Sequence, residues 1–432
     1  MTFPEGKEAG WHVLIGDNGS GKSTIVKSMA LALLKPADVY AAHQGWYEWL
    51  RRGKEKGHIV LCISGDSDVD SAIQNQNLNV KNRIDLAWKY EPSPVPQNYG
   101  NPNERPITSN ESIGGVEIDK LQLFNGSIEN SSIYTTGIDL RTGWFSVAYG
   151  PFRRFSGGDV EKDKLFLSNP RLGAHLSIFD EDVALSEALN YIRELYIKDL
   201  EKKDEWKTLE SLKEFINGAN LLPHGTKIDS VDSNNIYFKD GNGSRISTIQ
   251  MSDGFRSILS LAFELIRQLI RSYGAGWVFS KVREGNMVID LPGVVLVDEI
   301  DVHLHPTWQT RIGNWFLKYF PNLQFIVTTH SPLVCRACEK GSIWRLAAPG
   351  SNQESGEVTG LDRERLIYGN VLDAYGTELF GQDVERSDQS QKKLERLAHL
   401  SQLNAFGKIS DPEKKEMQDL RKILITDDTT TF

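Results

Sequence analysis

Apolar residues fall in short clusters separated by polar stretches, and the spacing inside each cluster sets the element it predicts. Trp11 to Ile15 is an apolar run of strand length that ends at Gly16. Over Ser23 to Leu34, Ile25, Val26, Met29, Ala30 and Leu33 recur on one side of a helix. The order is strand, glycine-rich turn, helix. A helix around Gly45 to Arg52 and a strand at His58 to Ile63 come next, then a polar surface loop from about Glu91 to Ile113. Strands are expected at Leu121 to Phe124 and Trp144 to Tyr149. Leu185, Leu189, Ile192, Leu195 and Tyr196 then give Asp180 to Gly218 helical periodicity, too short and irregular for a sustained heptad. Lys227 to Ile249 reads as a β-hairpin turning at Asp240-Gly-Asn-Gly243. Beyond it are a helix over Phe255 to Ser272, a buried strand at Val294 to Val297, a helix over Pro306 to Tyr319 and a strand at Gln324 to Thr328. A charged helical tail runs from Asp383, with a polar end at Thr426 to Phe432. Strands alternating with helices predict an α/β fold.

The 432 residues, 39% hydrophobic and 25% charged, suffice for a large core. The longest apolar runs, such as Ile59 to Ile63, are far short of the roughly 20 residues that span a bilayer, so a membrane transporter is not expected. No basic region followed by an apolar stretch opens the sequence, and only three cysteines occur. A cytoplasmic protein is expected. Cys335 and Cys338 form a C-x-x-C without a second pair to complete a zinc set, and read as ordinary helix residues. The net charge of -9 excludes the broad basic field of a DNA-coating protein. Local basic clusters, Arg51, Arg52, Lys54 and Lys56 and then Arg153 with Arg154, leave room for a small nucleic-acid contact.

The candidate chemistry begins at Gly16-Asp-Asn-Gly-Ser-Gly21-Lys22-Ser23, which fits the phosphate loop G-x-x-x-x-G-K-[ST] and lies between a strand and a helix as that motif must. Gly16, Gly19 and Gly21 let the backbone curl so that N–H groups aim at phosphate oxygens, with Asn18, Ser20 and Thr24 beside them. Lys22 would neutralise β/γ oxygens and Ser23 would reach Mg²⁺. The strand at Val294 to Val297 delivers Asp298, a candidate for holding Mg²⁺, and Glu299, a candidate for orienting or deprotonating water. Gln324 to Thr329 leads to His330, placed to meet a γ-phosphate. Ser252 and Gly254 open the apolar helix that starts near Phe255, so its N-terminus can face an anion. His303 and His305 beside Asp301 allow a metal reading, set against that of a loop packing between subunits with Pro306 starting the next helix.

Phosphate loop, Ser252-containing loop, Asp-Glu strand and histidine, in this order, resemble the ABC ATPases, with Ser252-Asp253-Gly254 standing where their signature motif is expected. Asp298-Glu-Ile-Asp-Val-His-Leu-His305-Pro306 resembles the RecF-like and OLD-like branch, from which Ile300 and Asp301 depart. Tyr149-Gly-Pro-Phe-Arg-Arg154, Ser252-Asp-Gly-Phe-Arg256 and Tyr368-Gly-Asn to Phe380-Gly381 are similar to the PtuA-type ATPases of Septu and retron-associated antiphage systems. The resemblance implies an ABC-type P-loop ATPase head with a mixed α+β insertion, a helical C-terminal tail and no long coiled coil. Its domains would be 1–65, carrying the phosphate loop; 66–225, the insertion; 226–345, carrying the signature hairpin, Asp-Glu strand and histidine strand; and 346–432, the tail. It implies ATP and Mg²⁺ as cofactors, slow hydrolysis, a homodimer or higher oligomer closing on ATP, and an HNH nuclease partner (PtuB-like). Contact with DNA or retron nucleic acid would run through that partner or the basic clusters. The alternative it leaves is a RecF-like ATPase of DNA repair that binds DNA itself. Two features depart from the pattern: no glutamine stands in the loop after Tyr149, and only about ten residues precede Trp11, where adenine-stacking aromatics are expected.

Overall fold

The computed structural model describes residues 1, 3, 8–34, 38, 42, 57–64, 83–90, 116–117, 121–124, 145–153, 169–180, 186–204, 206–351, 353–370 and 388–424. In chain order the strands are β1 (Gly10–Ile15), β2 (Gly57–Ser64), β3 (Arg83–Tyr90), β4 (Val116–Glu117), β5 (Leu121–Phe124), β6 (Ser146–Tyr149), β7 (Lys227–Val231), β8 (Ile236–Lys239), β9 (Arg245–Ser247), β10 (Gly293–Val297), β11 (Leu323–Thr328), β12 (Gly341–Arg345) and β13 (Gly356–Glu357). The principal helices are α1 (Lys22–Ala32), α2 (Pro170–Phe179), α3 (Ser186–Leu200), α4 (Thr208–Gly218), α5 (Asp253–Tyr273), α6 (Pro306–Tyr319), α7 (Gly360–Tyr368), α8 (Asp388–Ala405) and α9 (Asp411–Ile423). The helix expected over 45–52, the loop over 91–113, Arg154 and the end at 426–432 lie outside the described residues.

Among the described residues, the main sheet runs β13-β12-β1-β11-β10-β6, parallel throughout except for β13. Its strands are apolar on both faces, as a parallel sheet covered by helices requires. Leu14, Ala148, Leu296 and Ile326 point to one face, packing with Val26 and Ala30 of α1, Leu33 at its C-cap and Ile178 of α2. Trp11, Val13, Ile15, Val147, Val295, Val297, Phe325 and Val327 point to the other, sharing a large core with α3, α4, α5 and α6. The segment 66–225 thus supplies β6 to the main sheet and helices to its core. β2, β3, β4 and β5 form a second, antiparallel sheet, and β7, β8 and β9 a third. The predicted hairpin is β8–β9, with Gly243 at φ +83 in its turn, and β7 pairs with its outer side. α8 and α9 pack on each other through Leu397, Leu400, Met417 and Leu420, joined by Leu424 at the C-cap of α9. Among the described residues, no helix is long and apolar enough to cross a membrane.

α2 locks onto the sheet through His175, which is fully buried. Its Nδ1 donates to Arg171 O at 2.9 Å, so its Nε2 accepts from Ser146 Oγ at 3.1 Å. Burial, reinforced by the Arg171 cation, pushes the imidazole down to about 3. The unfolded chain therefore takes up a proton that the folded chain refuses, and stability falls as pH drops from about 6.5 towards 3. The loss from this group alone is expected to steepen below pH 6.5 towards about 1.4 kcal/mol per pH unit. Urea unfolding at pH 7, 6 and 5 should show that slope, and His175→Gln should flatten it; an unchanged slope would remove His175 as its source.

Candidate functional site

Because β12, β1, β11, β10 and β6 are parallel, their carboxyl ends line one edge of the sheet, where ligands enter α/β folds. The phosphate loop leaves β1, His330 follows β11, and Asp298 and Glu299 leave β10. These three strands are neighbours, so the motifs begin within about 10 Å of one another.

The loop's shape depends on glycine. Gly19 and Gly21 have φ +77 and +92. A Cβ on Gly16 would stand 2.7 Å from Leu346 O and 2.8 Å from Ser20 Oγ. Gly21 is the N-cap of α1 and brings no side chain to that helix's first N–H groups, and the buried Ser20 Oγ has no hydrogen-bond partner among the described residues. Asn18, Gly19 and Thr24 are exposed, and Ser20 and Ser23 are half-buried. Lys22 is buried and folds back, its Nζ donating to Gly16 O at 2.7 Å and Asp17 O at 3.0 Å. Burial lowers its pKa, opposed by the carboxylates of Asp298, Glu299, Asp17 and Asp301. One ammonium thus sits in the field of both acids at the end of β10.

Asp298 is only 2% exposed, and Thr328 Oγ1 donates to its Oδ1. The same hydroxyl oxygen accepts from Glu299 N at 2.7 Å. Glu299 has φ +46, a conformation costly to a residue with a Cβ, and such strain gathers at functional sites. Asp301 Oδ1 accepts from Thr329 Oγ1 and, at 3.4 Å, from His330 N, fixing the backbone beneath the exposed His330 side chain. Ser252 is exposed at the N-cap of α5. A Cβ on Gly254 would lie 2.8 Å from His303 O, so glycine lets α5 abut the turn that follows Glu299. The structure therefore gathers Lys22, Asp298, Glu299 and the His330 backbone, and sets Gly254 against His303, with Ser252 exposed at the start of the same helix.

One expectation changes. Arg153 is not a solvated base: it is 4% exposed, and its guanidinium donates to Gly150 O, Asp298 O and Glu299 O at 2.9 Å, Ile300 O at 3.3 Å and Ser257 Oγ at 3.4 Å. The adjacent-arginine pattern resembles a surface patch, and the backbone carbonyls that receive this side chain have no signature in sequence. His305, weighed as a metal ligand, takes the N-cap of α6, its Nδ1 accepting from Thr307 N at 3.3 Å. Cys335 and Cys338 are buried in a 3-10 helix (Pro332–Lys340), where burial pushes both thiols up.

Residues 119–336 match the family described as "AAA domain, putative AbiEii toxin, Type IV TA system". The chain belongs to this family. The matched AAA domain contains Arg153, α5, the β10 acids and His330. The chain is 41% identical over 109 residues to an Escherichia coli protein named "Retron Ec83 probable ATPase", 25% of this chain and 18% of that one. It is 24% identical over 362 residues to "Retron Vc95 probable ATPase" of Vibrio cholerae serotype O1 biovar El Tor, 74% of this chain and 66% of that one. It is 23% identical over 344 residues to "Septu protein PtuA" of Bacillus mycoides (strain KBAB4), 79% of this chain and 37% of that one. The chain thus spans less than two thirds of each of these relatives. The similarity to retron and Septu PtuA proteins implied by the motifs is found.

Proposed function

We propose that the protein binds ATP with Mg²⁺ on the carboxyl edge of its main sheet and hydrolyses it slowly, as the ATPase subunit of an antiphage defence system. The convergence of Lys22, Asp298, Glu299 and the His330 backbone from three adjacent parallel strands carries this reading. The N–H groups of Gly19 to Thr24 and the N-terminus of α1 receive phosphates, and Lys22 trades its loop carbonyls for phosphate oxygens. Asp298 and the Ser23 hydroxyl are hard oxygen donors and suit Mg²⁺, which when bound neutralises phosphate charge. Glu299 takes the proton of the attacking water, and His330 donates to the γ-phosphate. Ser252 and Gly254 of one copy cap the nucleotide held by a second, so hydrolysis depends on a homodimer or larger assembly. The names of the relatives support placing this ATPase in retron or Septu defence, where it would control a separate HNH nuclease.

Lys22→Met is expected to weaken Mg-ATP binding by about 100-fold, the scale of two charge-assisted hydrogen bonds, with the fold kept. Calorimetric titration of ATP into both proteins tests it; equal affinities would overturn the site. The partner is tested by coexpressing the chain with an HNH nuclease and measuring DNA cleavage with and without ATP. DNA cleavage by the chain alone would overturn the division of labour.

A further inference from the structure

We propose that Arg153 is the positioning residue of this site, holding the general base Glu299 in place and tying it mechanically to the helix that begins at Ser252. The proposal rests on Glu299 acting as the base. A buried guanidinium is costly to desolvate and persists only when its donors are satisfied. Here four of its contacts are backbone carbonyls, and three of those belong to the consecutive residues Asp298, Glu299 and Ile300. Consecutive carbonyls in an extended strand point alternately to opposite sides and cannot converge on one cation. The left-handed φ of Glu299 turns them together, and the guanidinium in turn stabilises that strained turn. The nearby carboxylates of Asp301, Asp298 and Glu299 favour its charge against burial.

Arg153 Nε also donates to Ser257 Oγ, and Ser260 Oγ donates to Arg153 O at 3.5 Å. Both serines are buried on α5, one and two turns beyond Ser252. With Gly150 O as the remaining acceptor, one residue joins the loop after β6, the acidic turn after β10 and the first two turns of α5, its side chain through Ser257 and its carbonyl through Ser260. A shift of α5 when a second subunit docks on its N-terminus is therefore felt at the Glu299 carbonyl. Lysine cannot reproduce this, because a single ammonium has three donors and no planar fork.

The test is steady-state ATP turnover by the full chain with Mg²⁺, for wild type, Arg153→Lys, Glu299→Gln and the double variant, each checked for folding by thermal melting. Arg153→Lys is expected to lower kcat on the order of 100-fold, the cost of misplacing a reacting group by about 1 Å. KM for ATP should change by less than about threefold, since the contacts to phosphate are elsewhere. Because Arg153 acts through Glu299, the double variant should be no slower than Glu299→Gln. Wild-type kcat in folded Arg153→Lys, or losses that multiply in the double variant, would overturn the proposal. Should Arg153→Lys not fold, Ser257→Ala decides by the same readouts: kcat is expected to fall by about threefold, again only when Glu299 is present, and an unchanged kcat would overturn the proposal. Absent turnover by the wild-type chain would overturn both this proposal and the reading of Glu299, whereas normal wild-type turnover with an unaffected Arg153→Lys would overturn this one alone.

Discussion

Glu299→Gln is expected to slow ATP turnover by about three orders of magnitude while leaving ATP bound. General-base catalysis contributes roughly 100- to 10,000-fold, and glutamine keeps the volume and most of the hydrogen bonding of glutamate while removing its basicity. The backbone should hold, because the strained turn is secured by Thr328 Oγ1, which accepts from Glu299 N, and by Arg153, which donates to Glu299 O. Binding should tighten, since one negative charge leaves the site that receives the phosphates. Phosphate release and the nucleotide retained after gel filtration measure the two effects. Rapid turnover by the variant would move the base to another side chain, with Asp301 and His330 the neighbours to test. Retention of ATP together with a doubled mass would support the sandwich of two subunits.

Gly341→Ala is expected to destabilise the fold by about 4 kcal/mol or more, a large part of the 5–15 kcal/mol that holds a typical domain together. Gly341 pairs with Trp11 across β12 and β1. A Cβ there would lie 1.8 Å from Trp11 O and 2.6 Å from Trp11 C, against backbone that cannot rotate away. Gly10 faces the same crossing, where a Cβ would lie 2.4 Å from Lys340 O. Forcing the strands apart would also withdraw Leu346, whose N donates to Ile15 O and whose carbonyl lies against Gly16. Nucleotide affinity should therefore fall with the melting temperature. Gly356→Ala, which meets open space, is the control. Equal melting of wild type and Gly341→Ala would contradict the β1–β12 pairing.

Much of this site was legible in the sequence because its chemistry is local. The phosphate loop, the Asp-Glu strand end and the α5 start are contiguous strings whose residue types meet local demands, and β10, α6 and β11 fall within one or two residues of expectation. What escaped depends on residues distant in sequence. β12 is five residues, Gly-Ser-Ile-Trp-Arg, too short and too mixed to show a strand period, and it is a strand because Gly341 allows it close to β1. α2 was also missed: it carries Gly173 and the buried polar residues His175 and Ser177, which blur the apolar stripe of a helix. Arg153 was misread because charge in sequence suggests exposure, whereas the fold supplies it with carbonyls from residues about 145 positions away.

The pairing of β1 has a consequence for how the protein is made. Its two neighbours, β11 and β12, are late segments, and the Trp11 indole finds its acceptor, Val334 O, 323 positions further along the chain. At roughly 5 to 20 residues per second, a ribosome needs about 15 to 65 seconds to deliver those partners after β1 is synthesised. Throughout that interval an apolar strand and the phosphate loop attached to it have no sheet to join. The proposed nucleotide site therefore cannot form co-translationally by stages. It is completed in one late step, and a nascent chain stalled before β11 would present β1 to chaperones rather than to ATP.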